Sequence, residues 1–409
     1  MGRTVRGRRE PHLPRVEKIE LSDSHVKGRL AAAVLLLVVG VALIAFSFMK
    51  FITVDAGWQE IEVDASGEFH CGGDFTFLYE LGKGDVSVKS EKKELTALYS
   101  DAARAAYEIF NTDVEIAGTV NLWYINRHPN EEIPVDAALY NALSQVCENE
   151  GRWIYLGPAY SVYDNLFYMM SSDGAVDFDP HLNPYIGNLF QEICEWADDP
   201  DAINLELLEG DVIRLNVSQE YLDFMAEEEL EDFIDFYWLK NAFIADYIAD
   251  RVLKAGYTHG VISSYDGFVR CFDESGTVFS YQLYHAQGDT AVLSGSMEYT
   301  GPQSFVTFKS YPLNPRDFQH YLILSEVSVR TPYLSLEDGL DRCALEELTA
   351  YSSNIGCAEI ALKTAPIYIA DKLQKSMLTS LTEIGIYAVY WDDGEVCNSG
   401  PMSLVADDT

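Results

Sequence analysis

Residues 238–272, WLKNAFIADYIADRVLKAGYTHGVISSYDGFVRCF, constrain the fold more than any other stretch of the chain. Ala245, Ile248, Ala249 and Val252 recur at i, i+3, i+4 and i+7, which lays one apolar stripe along a helix. Gly256 stands where a helix end wants a residue tolerant of positive φ, and Lys254 sits in the last turn, near the negative end of the dipole. A β-prone run at 260–263 leads to Asp266-Gly267, a hairpin-type turn dipeptide, and 268–272 alternates as a second strand. The stretch therefore predicts helix, stop, strand, tight turn, strand. Asp246 and Asp250, four apart, lie on one side of that helix, and Asp266 sits at the tip of the turn. Such a corner is either a structural joint or a ligand site; we expect Asp246 and Asp266 to face one shared cleft.

The second constraint is the uncharged run at 30–49, LAAAVLLLVVGVALIAFSFM, closed by Lys50. It has about the length needed to cross a ~30 Å hydrocarbon core as a helix. It is long for the apolar region of a cleaved signal, and no A-x-A site follows it, so we expect a retained anchor. Arg3, Arg6, Arg8, Arg9, Arg15, Lys18, Lys27 and Arg29 all precede it. The positive-inside rule then predicts a single-pass protein of the cell membrane: a cytoplasmic tail at 1–29, a transmembrane helix at 30–51 and an extracytoplasmic domain at 52–409.

Charge narrows the partners. The net charge is −37, and residues 1–29 hold eight Lys/Arg against four Asp/Glu, so the rest carries 20 basic and 61 acidic residues. Such a surface repels nucleic-acid phosphates, which argues against DNA or RNA as a partner. Cys71, Cys147, Cys194, Cys271, Cys343, Cys357 and Cys397 are scattered without a CxxC pair or zinc spacing. The odd count argues against a complete disulfide framework and leaves room for one or two bridges.

Periodicity predicts strands at 58–69, 74–82, 120–126, 212–217, 278–284, 295–300, 305–311, 321–329 and 386–392. Helices are expected at 95–110, 135–148, 162–170, 345–353 and 360–373, the last disturbed by Pro366, with an acidic helix after Ser218. The charged stretch 83–94 is expected as a turn and 176–188 as a loop. Helices and short strands mix without regular βαβ alternation, which favours an α+β fold. No GxGxxG after a strand, Walker loop, HExxH or GxSxG is present, and the histidines are isolated.

The order of segments resembles that of the ApbE-like FAD:protein FMN transferases over most of residues 75–395. In 120–143, Asn126 matches the family asparagine, while Val120-Asn121 replaces its serine-acid pair. Phe178-Asp179-Pro180 matches Gly-Ala-Phe-Asp-Pro, with Val176 and Asp177 for the first two residues. The Lys-Gly-x-x-x-Asp helix falls on Asn241, Ala242 and Asp246, and the Gly-Gly-Asp turn on Ser264, Tyr265 and Asp266. The His-His-Ile-x-Asp-Pro segment falls near His320 without its acid and proline; the metal-binding Asp-x-x-x-Thr falls on Ile360 and Thr364, with Glu359 one residue away.

The resemblance implies an ApbE-like α+β fold of mixed or antiparallel sheets with packed helices. It implies FAD and Mg²⁺ as cofactors, and FMN attached to a threonine of an extracytoplasmic protein partner. Asn241, Asp246, Ser264, Tyr265, Asp266 and Gly267 would be the cofactor-binding positions and Thr364 the metal position. The departures weaken the activity more than the fold. Paired glycines let backbone N–H groups approach a pyrophosphate, whereas Ser-Tyr puts side chains there. Losing a carboxylate weakens a hard-cation site. The preferred expectation is a binding module that has lost the chemistry, ahead of an active transferase and of a structural acidic domain docking a basic partner.

Overall fold

The alternating residues 74–82 form a strand that lies one place in from the edge of an antiparallel sheet. The computed structural model describes residues 34–36, 39–40, 54–64, 70–168, 172–287, 290–313, 316–317, 320–325, 328–392 and 395–406. The chain divides into two units, Met1–Val54 and Asp55–Thr409. The expected basic tail lies outside the described residues, as does the 30–49 run apart from the helical residues 34–36 and 39–40. Among the described residues no helix is long and apolar enough to cross a membrane.

The strands are β1 (Gly57–Glu60), β2 (Phe75–Leu81), β3 (Ile133–Pro134), β4 (Ile203–Leu208), β5 (Val212–Val217), β6 (Gly260–Ser264), β7 (Phe268–Cys271), β8 (Val278–Gln287), β9 (Thr290–Thr300), β10 (Gln303–Lys309), β11 (Leu322–Ser325), β12 (Ser328–Arg330), β13 (Glu347–Ser352), β14 (Tyr387–Asp392), β15 (Glu395–Asn398) and β16 (Ser403–Ala406). The helices are α1 (Val88–Phe110), α2 (Leu122–Arg127), α3 (Ala137–Glu148), α4 (Gly157–Tyr163), α5 (Ser172–Ala175), α6 (Pro184–Asp198), α7 (Gln219–Glu227), α8 (Lys240–Lys254), α9 (Cys357–Tyr368) and α10 (Lys375–Glu383). The main sheet has eight strands in the order β1-β2-β6-β7-β10-β13-β14-β15. Smaller sheets, β16-β9-β8, β3-β5-β4 and β11-β12, complete the set, and all these pairings are antiparallel. The unit is therefore α+β with antiparallel sheets and packed helices.

The two faces of the main sheet are covered differently. Phe308 on β10 stacks on Tyr368 of α9 at 5.1 Å. The next residue but one from it, Val306, is buried on the same side, while Phe305 points the other way and stacks on Tyr281 of β8 at 4.2 Å. One face thus carries α8 and α9, and the other the β8–β9 layer, sealed by Leu283, Met297 and Tyr299.

The stretch that opened the reading forms as expected. Ala245, Ile248, Ala249 and Val252 are all 0% exposed, and Gly256 has φ of 91°. Several other expectations fail for local reasons. Residues 120–126 are not a strand: Asn121 accepts from the Tyr124 N–H at 3.0 Å and caps α2, whose Leu122 and Ile125 are buried. Residues 345–353 are not a helix but hold β13, which is buried at every position as a central strand. The 83–94 turn is shorter, because Ser87 caps α1 and residues 88–94 are already helical. Loop 176–188 ends early: Asn183 caps α6 and Pro184 opens it at the position where a proline fits a helix. Run 321–329 splits into β11 and β12. All seven cysteines are free, so the possible bridges do not form.

Candidate functional site

Helix α8 is entered through one 3-10 turn, Tyr237–Leu239, and has no side-chain cap. Tyr237 has φ of 43°, a costly conformation for a residue with a Cβ. It is held by stacking on Tyr160 at 4.3 Å, by its N–H donating to Asp235 Oδ1 at 2.8 Å, and by its hydroxyl donating to Asp164 Oδ1 at 3.3 Å. Asp235 Oδ1 also accepts from Thr112 Oγ1 at 3.1 Å. The first residue of α8 is Lys240. Burial lowers its pKa, but Asp235, Asp113 and Asp74 outweigh burial, and the net shift is upward. Among the described residues none of these carboxylates forms an ion pair with it. A charged lysine therefore stands in a nest of acids that do not engage it directly.

The β6–β7 turn faces this helix head. Asn241 Nδ2 donates to Asp266 Oδ2 at 2.8 Å. Burial pushes the Asp266 carboxyl up, with Ser264, Asn241 and Lys309 pulling the other way. Ser264 Oγ accepts from the Phe268 N–H at 2.9 Å and ties the turn shut. Gly267 has φ of 109°, and a Cβ there would fall 2.5 Å from the Thr307 carbonyl oxygen of β10. The Tyr265 N–H donates to the Asp74 carbonyl at 3.1 Å. The Arg316 guanidinium covers the Tyr265 ring at 3.8 Å and donates to the Gly73 carbonyl.

The sequence-derived positions do not all converge. Asn241, Ser264, Tyr265, Asp266 and Gly267 meet at this turn. Asp246 lies elsewhere along α8, where its two oxygens accept from the Cys357 and Ala358 N–H groups at 2.9 Å each and cap α9. Arg270 Nε stands 3.3 Å from Asp246 Oδ1, an ion pair without hydrogen-bond alignment, while its Nη1 donates to Ser304 Oγ at 2.8 Å. Asp246 and Asp250 line an open groove of about 920 Å³ between α1, α3 and α8. No contact joins Asp246 to Asp266 among the described residues. Thr364 is 0% exposed, and its hydroxyl donates to the Ile360 carbonyl at 2.5 Å. Asn126 bonds both ways with the Ile234 backbone at 2.9 Å, and Asp179 accepts from Arg330 Nε at 3.0 and 2.9 Å.

Lys240, Asp164, Asp235 and Tyr237 went unnoticed in the sequence. Lys240 had a signal: it is a lysine one residue before the position taken for the family lysine, Asn241. The acids had none, since they come from separate loops with no common spacing.

These residues do not fit the arrangement that FAD and Mg²⁺ would require at the matched positions. In the β6–β7 turn the Tyr265 and Phe268 N–H groups, which could meet a pyrophosphate, are spent on the Asp74 carbonyl and Ser264 Oγ. The acids around Lys240 oppose a second anion. At the metal position, Ile360 offers no side-chain oxygen, and its carbonyl is taken by the Thr364 hydroxyl inside the same helix.

No family model matches the sequence, and no curated protein matches it. Solved structures similar to this chain include two ApbE proteins. The ApbE protein of Thermotoga maritima is 11% identical, with 85% of this chain and 97% of that chain covered at a TM-score of 0.54. The flavin transferase ApbE of Vibrio cholerae is 11% identical, with 86% and 98% covered at a TM-score of 0.51. The α+β unit of antiparallel sheets and packed helices is thus a known architecture: the chain has the ApbE fold.

Proposed function

We propose that the chain is a membrane-anchored, extracytoplasmic binding module on the ApbE fold, with its ligand site at the head of α8 and with flavin transfer lost. The observation that carries the reading is Lys240. Its ammonium is kept charged by surrounding carboxylates that do not pair with it, which leaves its donors for a ligand. The strained Tyr237 beside it is of the kind that collects at binding sites. Loss of transfer is supported by the spent turn N–H groups and by the missing carboxylate at Ile360. Anchoring is supported by the uncharged 30–49 run with its basic flank on the N-terminal side.

The test is native mass spectrometry of the full chain purified in mild detergent, beside Lys240→Met. The reading expects a small molecule retained by the unmodified chain and lost from the variant at equal thermal stability. Equal retention by both would remove Lys240 from the site. Active FMN transfer is the second reading, and the fold shared with flavin transferases favours it.

A further inference from the structure

The hydrogen bond that joins α8 to the β6–β7 turn leaves two oxygens unaccounted for. Asn241 Nδ2 donates to Asp266 Oδ2 at 2.8 Å. Asn241 Oδ1 and Asp266 Oδ1 are both buried, and neither has a donor among the described residues. Buried acceptors without donors are rare because each forfeits its hydration, and an ionised carboxylate supplies no proton to relieve either. One proton on Asp266 changes the count. The acid group would then donate through Oδ1 to Asn241 Oδ1 while Oδ2 accepts from Nδ2, a two-bond ring that satisfies both side chains.

We infer that Asp266 carries a proton in the folded protein and forms with Asn241 an acid–amide latch between the β6–β7 turn and the head of α8. The surroundings agree. Lys309, on β10, is the cation that acts on Asp266, but it is already paired with Asp317 at 2.9 Å in a buried site. Asp317 in turn accepts from the Leu313 N–H at 2.7 Å. Asp74, from the loop before β2, adds negative charge near Asp266, and Tyr333 after β12 faces it with a neutral phenol. The Ser264 hydroxyl and the Asp266 N–H favour the ionised form, but Ser264 Oγ is turned to the Phe268 backbone and neither group meets Asp266 Oδ1 in hydrogen-bond geometry, so burial prevails. Ionisation would therefore set Asp266 Oδ1 against Asn241 Oδ1, acceptor against acceptor, with no uncommitted cation from β10 to relieve them. Burial places the Asp266 carboxyl above its ordinary range, so the latch is closed at low pH and loosens as pH rises through the folded value. This inference stands whatever ligand the site takes.

The test compares urea midpoints of the full chain and of Asp266→Asn from acid to alkaline pH. Asparagine keeps the shape and hydrogen-bonding capacity of the protonated acid but does not titrate. The expected result is that the midpoint of the unmodified chain falls relative to the variant as pH rises, then levels off. A relative midpoint that rises with pH, or that does not depend on it, overturns the inference. Should Asp266→Asn fail to fold, infrared spectra of the unmodified chain and of Asn241→Ala decide. A protonated-carboxyl band that shifts when the amide partner is removed supports the latch; spectra identical in that region overturn it.

Discussion

Asp246 holds two N–H groups of α9 and the Arg270 guanidinium together, and its removal would strand all three. Asp246→Ala is expected to lower stability by about 2–4 kcal/mol, measured by urea unfolding, with Asp246→Asn recovering part by keeping one acceptor. A silent Asp246→Ala would show that the cap is dispensable. Gly267 makes a different demand, because its φ of 109° and its approach to Thr307 leave no space for a side chain. Gly267→Ala is expected to cost about 2–4 kcal/mol in the same measurement. The glycine's turn role was legible from its neighbour Asp266; its contact with β10 was not, because register across distant strands leaves no local mark. The same limit explains why Asp246 looked like a site residue. The helix it caps begins 111 residues later, at Cys357.

At the scale of elements, periodicity succeeded where one face of a helix or strand is buried and failed where burial is uniform or a cap decides. Helix α8 shows a clean stripe, whereas β13 is buried on both faces, so Leu345 to Ser353 carries no alternation to betray a strand. Helix α2 turns on the single side chain of Asn121. The buried start of β13 also holds Glu347, 6% exposed and bonded by the Tyr311 hydroxyl. Burial pushes its carboxyl up from 4.5 to about 7, against the Tyr311 hydrogen bond. The folded protein thus keeps this proton at pH values where the unfolded chain has lost it. Its contribution is complete below about 4.5, declines as pH rises towards about 7 and is gone above, a change on the order of 3 kcal/mol. Glu347→Gln should remove that part of the slope of urea stability against pH; an unchanged slope would place the proton elsewhere.

For the whole molecule, segment order was enough to reach the fold, because the ApbE architecture tolerates exchange of nearly all its sequence. The site was only half legible. Residues contiguous in the chain, such as Ser264 to Gly267, could be marked in advance, but the acids around Lys240 come together only when separate loops pack. The proposed topology places everything after the anchor outside the cytoplasm. A reporter active only in the cytoplasm, fused after Thr409, should give no signal, and a strong signal would invert the orientation. The central claim, that this ApbE fold binds without transferring, meets its most direct test in the intact mass of a threonine-bearing acceptor protein. The acceptor is incubated with the full chain, FAD and Mg²⁺. An unchanged acceptor mass is the predicted result; rapid gain of one FMN by the acceptor would contradict it.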